Sequence, residues 1–242
     1  MLAITERLLN NYNRPGRSLK ELRAIIVHWT ANTNRGANAM ANRNYFNSSD
    51  YIRVNGNIIY ASAHYVVDDQ TIVKCLPDHE VGYHVGSRRP YKPLVHDTLG
   101  IAVGDSPNNY TIGIEMCVNS DGDFSRTRQH TIELTQHLLK LHQMNITQVH
   151  RHFDITGKDC PKMMLDDLIW QQFLREIESY NQPAGNLKVN VSELNVRAGA
   201  GTNFPIKRKL MNGEFVNKIG QDGLWYKIGT DEWIHSNYVI VM

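Results

Sequence analysis

No apolar run in the chain approaches the ~18 to 20 residues needed to cross a bilayer, so a membrane span is not expected. Net charge is also small, +2 over 242 residues, and bulk charge therefore gives no support to nucleic-acid binding. The slight basicity would suit an anionic polymer surface and little else. Cysteine is scarce: Cys75, Cys117 and Cys160 do not make a disulfide framework. The start, Met1-Leu2-Ala3-Ile4-Thr5-Glu6-Arg7, carries an early charge and lacks the apolar h-region of a secretory leader. A protein beginning this way is expected to be made in the cytoplasm without a signal peptide and to leave, if it does, by another route.

The richest stretch is His150-Arg151-His152-Phe153-Asp154-Ile155-Thr156-Gly157-Lys158-Asp159-Cys160-Pro161. It gathers two imidazoles, an ammonium and a thiol just after the apolar run Ile146 to Val149. Imidazole and thiolate are preferred zinc ligands, and a catalytic zinc takes three protein ligands and keeps one position open. A third donor must come from elsewhere, and His28 suits best. It closes Ala24-Ile25-Ile26-Val27-His28, an apolar, β-branched run that reads as a buried strand. Cys75 and Cys117 lie in similar apolar segments and read as small buried hydrophobes.

Residues 1–23 read as a helical or irregular leader. Ala37 to Phe46 is a plausible helix, and Asn55-Gly56 is a turn signal. Ile58 to Val67 and Thr71 to Leu76 flank Asp68-Asp69-Gln70 as a β-hairpin. Residues 77–110 are mostly loop, and loops of that length inside a domain are usually functional. Tyr110 to Val118 is a further strand, Thr127 to Asn145 an amphipathic helix, and Pro161 to Tyr180 a closing helix. Strands alternating with helices predict an α/β domain over 1–180, a central mixed sheet covered by helices. Residues 181–185 read as a linker. Short β runs and turns over 186–242 predict a small all-β barrel, with at least one of Trp225 and Trp233 in its core.

Hydrolysis at a zinc site also needs a base and a donor for the developing oxyanion. Glu115, alone in an apolar strand, either faces a site or points to a solvated sheet edge. Lys158 could bring positive charge near Cys160. His150 and His152 are two residues apart on one extended segment, so spacing does not choose between them. His64 and His84 could each line a groove or serve as a hydrogen-bonded structural histidine. The remaining histidines, including His79, His96, His130, His137, His142 and His235, read as surface residues.

In order, these residues resemble a known family. His28 follows an apolar strand, and Ser62-Ala63-His64-Tyr65-Val66-Val67, Gly82-Tyr83-His84-Val85-Gly86, Ile112-Gly113-Ile114-Glu115 and His152…Lys158-Asp159-Cys160-Pro161 come after it. The set resembles the type 2 N-acetylmuramoyl-L-alanine amidases, zinc enzymes of phage endolysins and bacterial autolysins related to peptidoglycan-recognition proteins. The resemblance covers most of residues 20–178. It implies His28, His152 and Cys160 as ligands of one zinc ion, which chooses His152 over His150. It also implies Glu115 and Lys158 as catalytic residues. His64 and His84 are the substrate-binding candidates, with His84 on the long 77–110 loop that would form part of the glycopeptide groove. Many relatives carry a tyrosine where this chain has Ala63. Leu194-Asn195-Val196-Arg197-Ala198-Gly199, Trp225-Tyr226-Lys227-Ile228 and Trp233-Ile234 make the tail similar to bacterial SH3-like domains, which often bind peptidoglycan.

The expectation is therefore hydrolysis of the amide between N-acetylmuramic acid and L-alanine, in a cell-wall lytic enzyme of endolysin or autolysin type. The missing leader points to release from a host cytoplasm with holin help. Two other readings stand beside it: a recognition protein that binds peptidoglycan without cutting, and a zinc hydrolase of a different bond.

Overall fold

A run of β-branched residues without polar alternation is stable only where both faces of the strand are covered. The two strands that carry such runs lie side by side within one sheet. The computed structural model describes residues 2–87, 90–179 and 187–242, and the chain divides into two compact units, Met1–Glu178 and Ser179–Met242. The first unit contains, in order, β1 (Ile4–Glu6), β2 (Ala24–Trp29), α1 (Ala39–Phe46), β3 (Arg53–Val54), β4 (Asn57–Ile58), β5 (Tyr65–Val67), β6 (Ile72–Lys74), α2 (Pro93–Asp97), β7 (Thr111–Met116), α3 (Phe124–Leu141), β8 (Val149–Arg151), α4 (His152–Thr156) and α5 (Asp167–Ser179).

Its main sheet runs β1-β6-β5-β7-β2-β8. Only the β5–β6 hairpin is antiparallel, so the sheet is mixed. Helix α1 packs against β5 and β6, and α3 against β5 and β7. The leader departs from expectation, because Ile4 to Glu6 pair in parallel with Ile72 to Lys74 at the sheet edge. Helix α3 starts at Phe124 because the Asp123 carboxylate accepts the N–H groups of Ser125 and Arg126. The Asn55-Gly56 turn joins β3 to β4, with φ of 50° and 78°, as a two-residue hairpin loop demands. The closing helix is interrupted: a 3-10 turn at Lys162–Met164 precedes α5. The long loop holds α2 and a 3-10 turn at Pro107–Asn109. The expected linker at 181–185 lies outside the described residues.

The second unit contains β9 (Leu187–Val189), β10 (Glu193–Arg197), β11 (Ile206–Met211), β12 (Phe215–Val216), β13 (Gly220–Asp222), β14 (Trp225–Gly229), β15 (Glu232–His235) and β16 (Val239–Val241). They form a five-stranded sheet, β11-β10-β15-β14-β13, and a three-stranded one, β12-β9-β16, with every pair antiparallel. Leu187, Val189, Leu194, Val196, Leu210 and Ile234 make its core. Neither tryptophan enters that core: Trp225 and Trp233 are half-buried, and Ile234 takes the inward place beside Trp233.

Candidate metal centre and active site

Each candidate ligand sits where an element ends. His28 lies near the end of β2, and His152 opens α4 directly after β8. Cys160 comes after Gly157, whose left-handed φ of 75° stops α4. The Phe153 N–H donates to the Cys160 carbonyl at 2.9 Å and folds the loop back onto the helix. Strand alternation is lost once the chain turns into α4, and this separates the two competing histidines. His152 joins His28, whereas His150 lines a crevice with Trp170 and Asp154, its Nε2 buried without a partner.

The His28 Nδ1 lies 3.0 Å from His152 Nδ1 and 3.6 Å from Cys160 Sγ. One donor atom from each residue falls within 4.8 Å of the others, and all three residues are buried.

The tautomer of His28 follows from its partners. On the far side, His84 Nε2 lies 3.2 Å from both the carbonyl and the hydroxyl oxygen of Thr111. The carbonyl can only accept, and the Thr111 hydroxyl donates its own hydrogen to the Pro107 carbonyl at 2.9 Å. His84 Nε2 therefore carries the proton, and His84 Nδ1 accepts one from His28 Nε2 at 3.0 Å. That leaves the His28 Nδ1 lone pair aimed at His152 and Cys160. His84 thus orients a candidate ligand from behind, the arrangement that fixes ligating histidines in metal sites.

Burial pushes His28 and His84 well below the ordinary histidine range, with neighbouring imidazoles adding to the effect on both. His152 is lowered to about 3, by burial and then by the Lys158 ammonium. These imidazoles are neutral, as metal ligands must be. The Cys160 thiol is pushed up to about 12 by burial and by the nearby Glu115 carboxylate. Two neutral imidazoles and a buried thiol with converging donor atoms fit a soft-to-borderline divalent cation, and the N,N,S set favours zinc.

Glu115 stands beside His28 in the parallel register of β7 and β2, so both side chains share one face. Burial raises its carboxyl to about 8, opposed by Lys158, which sits on the exposed 157–159 loop. Three buried side-chain atoms lack a hydrogen-bond partner among the described residues: Glu115 Oε2, Thr30 Oγ1 and the His150 Nε2 already noted. The Thr30 N–H donates to the Met116 carbonyl at 2.9 Å and carries the β2–β7 ladder one residue further.

His64, expected beside a groove, is fully buried. Its Nδ1 accepts the Gly113 N–H at 3.0 Å and its Nε2 lies 2.8 Å from the Glu80 carbonyl. Both ring nitrogens are spent on backbone, so His64 is a fastener and has no edge left for a substrate. His84 is buried as well and acts through His28. Gly113 makes room for it, since a Cβ there would fall 2.6 Å from the His84 ring. Two histidines expected at the surface are held by partners. The buried His130 reaches the Asp68 carbonyl at 3.0 Å, and His142 Nε2 meets Asp78 at 2.8 Å. Thr30, Asn108 and Thr111 carried no sequence signal, being ordinary polar residues; Asn108 Oδ1 accepts the N–H groups of His84 and Val85.

The chain belongs to the N-acetylmuramoyl-L-alanine amidase family, whose model matches residues 18–163, and residues 192–240 match the bacterial SH3 domain. A probable N-acetylmuramoyl-L-alanine amidase of Bacillus licheniformis is 32% identical over 214 residues, covering 87% of this chain and 56% of the relative. The amidase CwlH of Bacillus subtilis is 31% identical, covering 72% and 60%. The solved catalytic domain of XlyA superposes with a TM-score of 0.58 at 31% identity, over 73% of this chain and 99% of that one. The chain spans 41 to 60% of the length of the first curated relatives it matches.

Proposed function

We propose that this protein is a zinc-dependent N-acetylmuramoyl-L-alanine amidase that cuts the amide between the lactyl group of N-acetylmuramic acid and L-alanine of the stem peptide. The observation that carries the reading is the convergence of His28, His152 and Cys160 beside Glu115. His28, His152 and Cys160 would hold the zinc, which when bound supplies Lewis-acid chemistry at the amide. Glu115 acts as general base: it takes a proton from the attacking water and hands it to the leaving amine. A carboxyl raised by burial is a stronger base than an ordinary glutamate, which suits proton transfer near neutral pH. Lys158 faces the developing oxyanion, a contribution of roughly 3 kcal/mol for one well-placed donor. His84 keeps the His28 proton on the far nitrogen. The bacterial SH3 unit holds the enzyme on the wall and raises its local concentration, so the site of action is the peptidoglycan.

The test is digestion of purified walls by wild type and Glu115→Ala, with mass analysis of the products. Free lactyl-muramoyl glycan and stem peptides beginning with L-alanine, lost in a variant that keeps about one zinc per chain, support the reading. Walls that bind the protein and stay intact would mean a recognition protein, and cuts elsewhere would move the scissile bond.

A further inference from the structure

Four tyrosines form an unbroken run of ring contacts whose last member, Tyr83, directly precedes His84. The ring centroids of Tyr51 and Tyr12 are 4.4 Å apart, those of Tyr12 and Tyr60 6.0 Å, and those of Tyr60 and Tyr83 5.3 Å. Their planes are tilted by 42° to 72°, so the rings meet at a tilt or edge to face rather than stacking on one another. Tyr51 and Tyr60 remain 49% and 51% exposed, and a cluster of exposed rings on a soluble surface marks a contact site more often than chance.

The run is held rigid. The Tyr12 hydroxyl donates to the Asp50 carbonyl at 2.5 Å and accepts the Ile52 N–H at 2.8 Å, which pins the base of the β3–β4 hairpin. Tyr83 is tied to Ser62 twice, its N–H donating to Ser62 Oγ at 3.0 Å and its carbonyl accepting the Ser62 N–H at 3.1 Å. A surface fixed before binding loses little entropy when a ligand arrives. Tyr83 immediately precedes His84, whose ring lies 3.0 Å from His28, so the last member of the run is joined in sequence to the residue that orients His28.

The chemistry of the run selects its occupant. Its rings contribute no carboxylate, ammonium or guanidinium, so a charged stem peptide finds no counter-charge among them. A pyranose suits it: the axial C–H faces of the sugar lie on aromatic faces, while its hydroxyl edges meet phenol oxygens and water. Resting on the amidase reading, continuity adds to this. The sugar bearing the scissile amide must sit at the centre, and the next sugars of the same strand must leave along a neighbouring surface. We propose that Tyr51, Tyr12, Tyr60 and Tyr83 form a binding strip for the glycan strand, leading successive sugar rings away from the centre.

The experiment compares the full chain with Tyr51→Ala/Tyr60→Ala, leaving Tyr12 to hold the hairpin. On long glycan strands kcat/KM falls about tenfold, chiefly through KM, the loss expected for one or two stacked rings. On a small soluble muramoyl-peptide it stays within twofold, and Tyr51→Phe/Tyr60→Phe, which keeps both aromatic faces, loses less on the polymer than the alanine pair. Equal losses on both substrates, or no loss on the polymer, overturn the proposal. If the alanine pair lowers Tm, Tyr51→Leu/Tyr60→Leu keeps apolar bulk without the flat ring and must show the same selective loss. Should wild type cut neither substrate, the amidase reading falls and the strip is decided by binding to peptide-free glycan strands. A tenfold weaker affinity in the alanine pair then supports it, and an unchanged affinity sinks it.

Discussion

Glu115 and His64 show how much a single ionisable group shielded from water controls. Glu115→Gln keeps the size and one acceptor oxygen of the side chain but removes the proposed base. Activity on walls is expected to fall by about 10² to 10⁴, while zinc content by metal analysis and Tm stay near wild type. His64 affects stability through pH. Burial holds it at about 4, below the ordinary 6.5, and protonation at Nδ1 would also cost the Gly113 N–H its acceptor. The unfolded chain therefore binds more protons than the folded one between pH 6.5 and 4. Stability is full above that window and is lost as pH falls through it, by about 3 kcal/mol from this one residue. Urea unfolding at a series of pH values is expected to show a shallower acid slope in His64→Gln than in wild type. Equal slopes would mean that His64 titrates normally.

At the level of elements, β7 does two tasks, since its alternation buries Ile112 and Ile114 while Gly113 and Glu115 serve the site. Gly113→Ala drives a methyl into the His84 ring, so His84 must move and its hold on His28 is lost. Zinc affinity, read by chelator competition, is expected to fall about 10- to 100-fold, the usual effect of losing an outer partner of a ligating histidine. Gly113→Ala/His84→Ala, which gives the methyl its space, is expected to recover Tm and not affinity. The same strands explain what could be read in advance. β2 and β7 are near-continuous apolar runs, and their end residues stood out as polar exceptions. The edge strand β1 is three residues long and owes its form to pairing with β6, a tertiary cause that leaves no local pattern. Spacing alone could not separate His150 from His152, because the period of two ends where α4 begins. The role of His84 was hidden as well, since it depends on a carbonyl 27 residues away.

Taken whole, the molecule joins a sheet built around a site to a small antiparallel unit with its own core. A chain ending before Leu187 is expected to hydrolyse a small muramoyl-peptide within about twofold of wild type. On walls it should lose ~10²-fold, the scale of a lost tether. Sedimentation with purified walls, measured beside hydrolysis, separates the two effects. Equal activity on walls would mean that the second unit plays no part in holding them. One further consequence follows from where the three metal donors sit. His28 and its partners His152 and Cys160 are 124 and 132 residues apart in sequence. A nascent chain still on the ribosome presents His28 long before its partners exist, and the three side chains can meet only after Cys160 has been made. The proposed metal site therefore stays incomplete until 132 residues beyond His28 have been added.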